Sequence, residues 1–106
     1  MAARRRKGQS WFVYLIECRD GSLYTGVALD VERRVAEHNA RRGGRYTRGR
    51  APVRVVVASR ALEKRAAYRL EWQVKQLRAR EKPGALQEWT GPRALVRYRQ
   101  KRRGRP

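Results

Sequence analysis

WFVYLIECRDGSLYTGVALDVERRVAEHN, residues 11–39, reads as strand, tight turn, strand and helix. Trp11 to Glu17 is an almost unbroken apolar run of aromatic and β-branched residues, the composition of a buried strand. Arg19-Asp20-Gly21-Ser22 holds the Asp-Gly pair that favours a hairpin turn. Leu23 to Val27 is a second strand with Gly26 inside it. Asp30 can cap the following helix by accepting from its free N–H groups, and that helix sets Arg34 and His38 four residues apart on one face. Turn length decides where the tyrosines point. A two-residue loop pairs Tyr14 with Val27 and sends Tyr14 and Tyr24 to opposite faces. A three-residue loop, Arg19-Asp20-Gly21, pairs Tyr14 with Gly26 and Ile16 with Tyr24, so both rings share a face. That loop needs a left-handed residue, which Gly21 suits. The expectation is therefore an odd-length connection, positive φ at Gly21, and both tyrosines on the face of Arg34 and Glu71.

Outward from this stretch the pattern continues. Gly43-Gly44 breaks the first helix, and Arg45 to Ala51 (RYTRGRA) reads as a basic loop. Pro52 opens the next element, and Val53 to Ser59 is a third, β-branched strand. Ser59 is placed to cap a long helix from Arg60 to Arg80. Leu62, Ala66, Leu70, Val74 and Leu77 form its buried stripe, and Lys82-Pro83-Gly84 ends it. Ala85 to Trp89 adds a turn of helix. The fold class is α/β, more narrowly α+β. Its order is β-β-α-β-α: a small three-stranded, mainly antiparallel sheet flanked by helices, with the first strand central. Residues 1–10 form a basic, disordered arm, 11–92 the domain, and 93–106 a basic tail.

The 106 residues carry a formal charge of +19. The first ten residues hold four positive charges and residues 93–106 hold seven, leaving +8 on the folded part. A field of this sign attracts polyanions, and nucleic acid is the expected partner, DNA ahead of RNA. A single cysteine, Cys18, excludes an intrachain disulfide and a cysteine-based metal site. The basic start before WFVYLI imitates a signal peptide, but the apolar run is too short and charges follow at once. No stretch approaches a membrane span, and the cytoplasm is the expected location.

The stretch also resembles the GIY-YIG nuclease superfamily, most of all its small stand-alone bacterial branch. Val13-Tyr14-Leu15 stands in the place of the first motif and Tyr24-Thr25-Gly26 in the place of the second. The resemblance runs from Trp11 to Lys82. It implies Tyr14 and Tyr24 as catalytic tyrosines, one handling the water's proton and the other orienting water or phosphate. It implies Arg34 on the scissile phosphate, His38 as proton shuttle or phosphate ligand, and Glu71 as the ligand of one divalent cation, Mg²⁺ or Mn²⁺. A carboxylate suits such a hard cation. Gly26 lets backbone and neighbour approach closely. Arg33, Arg45, Tyr46, Arg48, Arg50 and Lys75 are the expected nucleic-acid contacts, with Lys75 also placed to pair with Glu71. The family pattern is not complete: Asn39 is the only asparagine, so the asparagine beyond the metal-binding glutamate in many members is missing. Val27 stands where some repair members carry a lysine.

Two functions follow. One is a metal-dependent endonuclease that hydrolyses phosphodiester bonds. The other is a non-catalytic basic module that keeps the fold and only binds nucleic acid.

Overall fold

The structure is a computed structural model and describes residues 9–89. The expected arm and tail, with the boundary at Pro92, lie outside the described residues apart from Gln9 and Ser10. The strands are β1 (Phe12–Glu17), β2 (Leu23–Ala28) and β3 (Arg54–Ala58), in the sheet order β2-β1-β3 with both pairings antiparallel. The helices are α1 (Val31–Asn39), α2 (Arg45–Arg48), α3 (Lys64–Lys75) and α4 (Lys82–Gln87), with a 3-10 turn at Ala79–Glu81.

The hairpin turn is the three-residue form. Tyr14 pairs with Gly26 and Ile16 with Tyr24, and Cys18 N–H donates to the Ser22 carbonyl at 2.8 Å. Gly21 has φ 88°, the left-handed region that costs other residues strain. Asp20 locks the turn by accepting from the Ser22 N–H at 3.0 Å and the Ser22 hydroxyl at 2.6 Å.

Because β1 is central, both its faces are covered. On one face Val13 and Leu15 pack with Val56, Val57, Ala67, Leu70, Val74 and Leu86, so α3 and α4 lie there. On the other, Tyr14 and Ile16 pack with Val53, Val55, Val31 and Val35, so α1 lies there. Asp30 caps α1, accepting from the Arg33 N–H at 3.0 Å. Burying the α3 stripe is worth several kcal/mol; truncating one such leucine costs about 2–5 kcal/mol.

Several element readings are corrected. RYTRGRA is not all loop, because Arg45–Arg48 winds into one helical turn. Ser59 caps nothing. It is buried, its hydroxyl accepts from the Val13 N–H at 3.0 Å, and it donates to the Arg60 carbonyl at 2.8 Å. The long helix starts at Lys64, not Arg60, because Leu62 exchanges two backbone hydrogen bonds with Trp11 and so extends the sheet. It stops at Lys75, not Arg80, and its buried side is Ala67, Leu70 and Val74. Lys82-Pro83-Gly84 opens α4 rather than ending α3, because proline is tolerated in a first turn where no N–H is needed. Among the described residues no helix is long and apolar enough to cross a membrane.

Candidate active site

The three-residue turn brings Tyr14 and Tyr24 to the face that α1 covers, with ring centroids 6.4 Å apart. Opposite Tyr14, Gly26 leaves space: a Cβ there would collide with the Tyr14 hydroxyl and ring. The Tyr14 side chain therefore lies across Gly26, over the edge strand β2. Its hydroxyl meets His38 Nε2 at 3.0 Å, and His38 Nδ1 meets Thr47 Oγ1 at 2.6 Å. Tyr14, His38 and Thr47 are all at most 1% exposed, so the three form a buried hydrogen-bonded chain. Either tautomer of the imidazole completes it, with one ring nitrogen donating and the other accepting. Gly43 makes room for the ring, since a Cβ there would overlap His38 Nδ1.

Arg34 borders this chain. Its guanidinium donates to Glu37 Oε1 and to the Gly43 carbonyl, each at 2.8 Å, and its side chain is one-third exposed. Burial pushes the Tyr14 phenol up to about 12. The Arg34 guanidinium against it pulls the other way, while the Tyr24 and Glu71 charges push further up. Desolvation, then the Arg34 charge, lowers His38 below its usual 6.5, with Glu37 opposing. At neutral pH the chain therefore holds a protonated phenol against a neutral imidazole. His38 reaches no solvent, so it touches Tyr14 and Thr47 rather than a phosphate.

The opening lies at Tyr24. Its ring meets His38 edge-on at 5.4 Å on the inside and stacks on Tyr46 at 5.5 Å on the outside. Tyr46 is 40% exposed and carries the Arg50 guanidinium over its ring at 4.2 Å. Arg50 is held in place by Asp20 Oδ2 at 3.0 Å and the Tyr46 carbonyl at 2.7 Å. Arg45 and Arg48 flank Tyr46 on α2 and are exposed, as is Arg33, which lies 3.7 Å from Glu37.

Glu71 comes from the other side. Its helix packs on the face opposite Tyr14, so the expectation that all four side chains share a face is corrected for this one. Glu71 flanks the buried stripe of α3, and its charge still acts on the Tyr14 phenol. Its carboxylate pairs with Lys75 at 3.2 Å and is mostly buried. Among the described residues no three His, Cys, Asp or Glu side chains gather as a metal cage. One carboxylate fits a cation that keeps its waters and takes phosphate oxygens from the substrate, which is the habit of Mg²⁺.

Sequence reasoning passed over Thr47 and Gly43. Thr47 was hidden in a stretch read as basic loop, and Gly43 was read only as a helix breaker. Asn39 has a structural task, clasping Val53 through its N–H at 2.6 Å and its carbonyl at 3.1 Å.

A sheet of this order, two tyrosines meeting over a glycine, and an arginine–histidine helix define a GIY-YIG domain. The chain belongs to that family, whose catalytic-domain model matches residues 10–83, and the family is one of nucleases. It is 43% identical over 81 residues to the UPF0213 protein BH0048 of Halalkalibacterium halodurans, spanning 76% of this chain and 86% of that protein. A UPF0213 protein of the archaeon Halobacterium salinarum is 51% identical over 70 residues, 66% of this chain and 91% of that one. The solution NMR structure of BH0048, there ascribed to Bacillus halodurans, aligns at 41% identity over 82% of this chain and 93% of that one, with a TM-score of 0.47.

Proposed function

We propose that the protein is a divalent-cation-dependent endonuclease cleaving phosphodiester bonds, in DNA ahead of RNA. The observation that carries this reading is the buried Tyr14–His38–Thr47 chain ending beside Arg34 and Tyr24 at an open, basic surface. A protein that only bound nucleic acid would gain nothing from burying a phenol–imidazole pair behind its surface.

The roles follow from exposure. Arg34 and Tyr24, which reach solvent, meet the scissile phosphate and orient the attacking water. The fixed guanidinium fork suits a phosphate that gains charge in the transition state. Tyr14 and His38 handle the proton. A phenol pushed to about 12 is a poor free base, whereas a neutral imidazole with a lowered pKa can accept. Tyr14 takes a proton from the water side as its own passes to His38 Nε2, and Thr47 fixes the imidazole's far nitrogen. Glu71 would hold the cation in place of its present partner Lys75, and a cation there would supply charge to the phosphate and the leaving oxygen.

The test is cleavage of labelled duplex, branched and single-stranded substrates by the purified protein, with Mg²⁺ and with EDTA. Hydrolysis that needs the cation supports the nuclease reading. Tight binding of all three without cation-dependent hydrolysis would leave the binding module instead.

A further inference from the structure

Trp72 is 64% exposed and Tyr68 is 46% exposed, and the nuclease reading uses neither. Large aromatic rings left in water call for an explanation when they are neighbours. Lys64, Tyr68 and Trp72 succeed one another four residues apart, so they form a single row along the outside of α3. Arg65 and Arg69, both exposed, run beside it. The row is braced from below: Trp11 meets the Tyr68 ring at 5.9 Å, and Lys64 Nζ lies 5.4 Å from the centre of the Trp11 ring. The Trp72 carbonyl accepts from Gln76 at 3.2 Å, inside the same helix. Two carboxylates lie near, Glu63 at the helix cap and Glu71 on the inner flank paired with Lys75. The outer face is thus aromatic and cationic together.

The geometry points to a stacking platform for an unpaired stretch of nucleic acid on the outer face of α3. Rings interleaved with Lys and Arg match what a single strand offers, bases with free faces and a phosphate at each step. A duplex offers the phosphates but keeps its bases stacked on one another, so it fits only the cationic half of the surface. An acidic protein would also meet the charges, but would leave Trp72 uncovered by any flat partner. Continuity with the candidate site fixes the direction. Glu71 is next to Trp72 in the chain, about 100° round the helix. A strand lying on Tyr68 and Trp72 is thereby led towards the edge where Glu71 meets Tyr14. The platform rests on the nucleic-acid part of the proposed function and not on cleavage.

The test is binding of the full chain in EDTA, read by fluorescence anisotropy. The probes are unpaired oligothymidine, unpaired oligouridine and a mixed-sequence duplex, each roughly 20 units long to cover one such site. Trp72→Ala should weaken binding of both unpaired probes about tenfold and duplex binding less than about twofold, and Trp72→Phe should restore most of the loss. Arg69→Ala should weaken all three and reduce the slope of log K against log salt by about one, whereas Trp72→Ala should leave that slope unchanged. Trp72 touches no core residue, so the thermal transition of Trp72→Ala should match the wild type. Equal losses on duplex and unpaired probes, no loss on any, or full binding retained by Trp72→Ala overturns the platform. A loss on only one of the unpaired probes keeps it and names the strand, DNA or RNA. Cation-dependent cleavage is measured separately. If it is absent while the Trp72 effect holds, the nuclease reading falls and the platform stands.

Discussion

At the residue scale the account turns on one imidazole. His38 is the only histidine, so its ring protons can be followed by NMR without assignment. Its pKa lies below 6.5 in the folded state, so the neutral form is the one the fold favours. The stability this contributes is present above 6.5 and is lost as pH falls through the folded value. The ring should titrate with a midpoint below 6.5, and the thermal transition should fall on acidification more steeply than in His38→Gln. A midpoint above 6.5 would contradict the buried neutral ring. Gly43 is the second lever. Gly43→Ala places a methyl against the ring and should cost on the order of 1–3 kcal/mol in urea unfolding. A variant as stable as wild type would mean the ring is not held where it is described. Tyr14, Tyr24, Arg34 and His38 were legible in the sequence as a set, since two strand positions and one helix face could be counted. Thr47 was not legible. Nothing local distinguishes a buried threonine in an arginine-rich stretch, and only the fold back onto α1 brings it to His38.

At the element scale the hairpin carries most of the information. Parity alone decided that an odd loop was needed, and the observed register, Tyr14 with Gly26 and Ile16 with Tyr24, follows it. Gly21 is where the backbone takes the strain. A Cβ there would meet nothing within 4 Å, so Gly21→Ala should cost about 1 kcal/mol through backbone conformation alone. Chemical denaturation would show it, and a neutral effect would argue against the left-handed turn. The first helix was equally legible, with an aspartate cap and alternating burial. The last third was not. A periodic apolar pattern from Leu62 to Leu77 suggested one helix, but Leu62 is claimed by Trp11 across the sheet and Leu77 falls after the helix ends. Long-range pairing overrode local periodicity, and Pro83 began a helix where it had been read as a stop. The opposite-face origin of Glu71 was invisible for the same reason, because sequence shows which residues share a helix face but not which sheet face that helix covers.

At the scale of the whole molecule, charge and site divide the work. The formal +19 is spread over the chain, with eleven of those charges in the first ten and last fourteen residues. Such charges add affinity without sequence preference by releasing counterions. Removing residues 1–10 and 93–106 should flatten the dependence of log K on log salt and leave the thermal transition nearly unchanged. Unfolding on truncation would show that the C-terminal segment belongs to the core. Cleavage, in contrast, should depend on a handful of side chains around Tyr14. The most direct measurement is single-turnover hydrolysis with protein in excess and Mg²⁺ present, so that binding does not limit the rate, comparing wild type with Glu71→Ala and Tyr14→Phe. The account predicts that Glu71→Ala loses cation-dependent cleavage while still binding, and that Tyr14→Phe slows it about a hundredfold or more. Wild-type rates in both variants would contradict it.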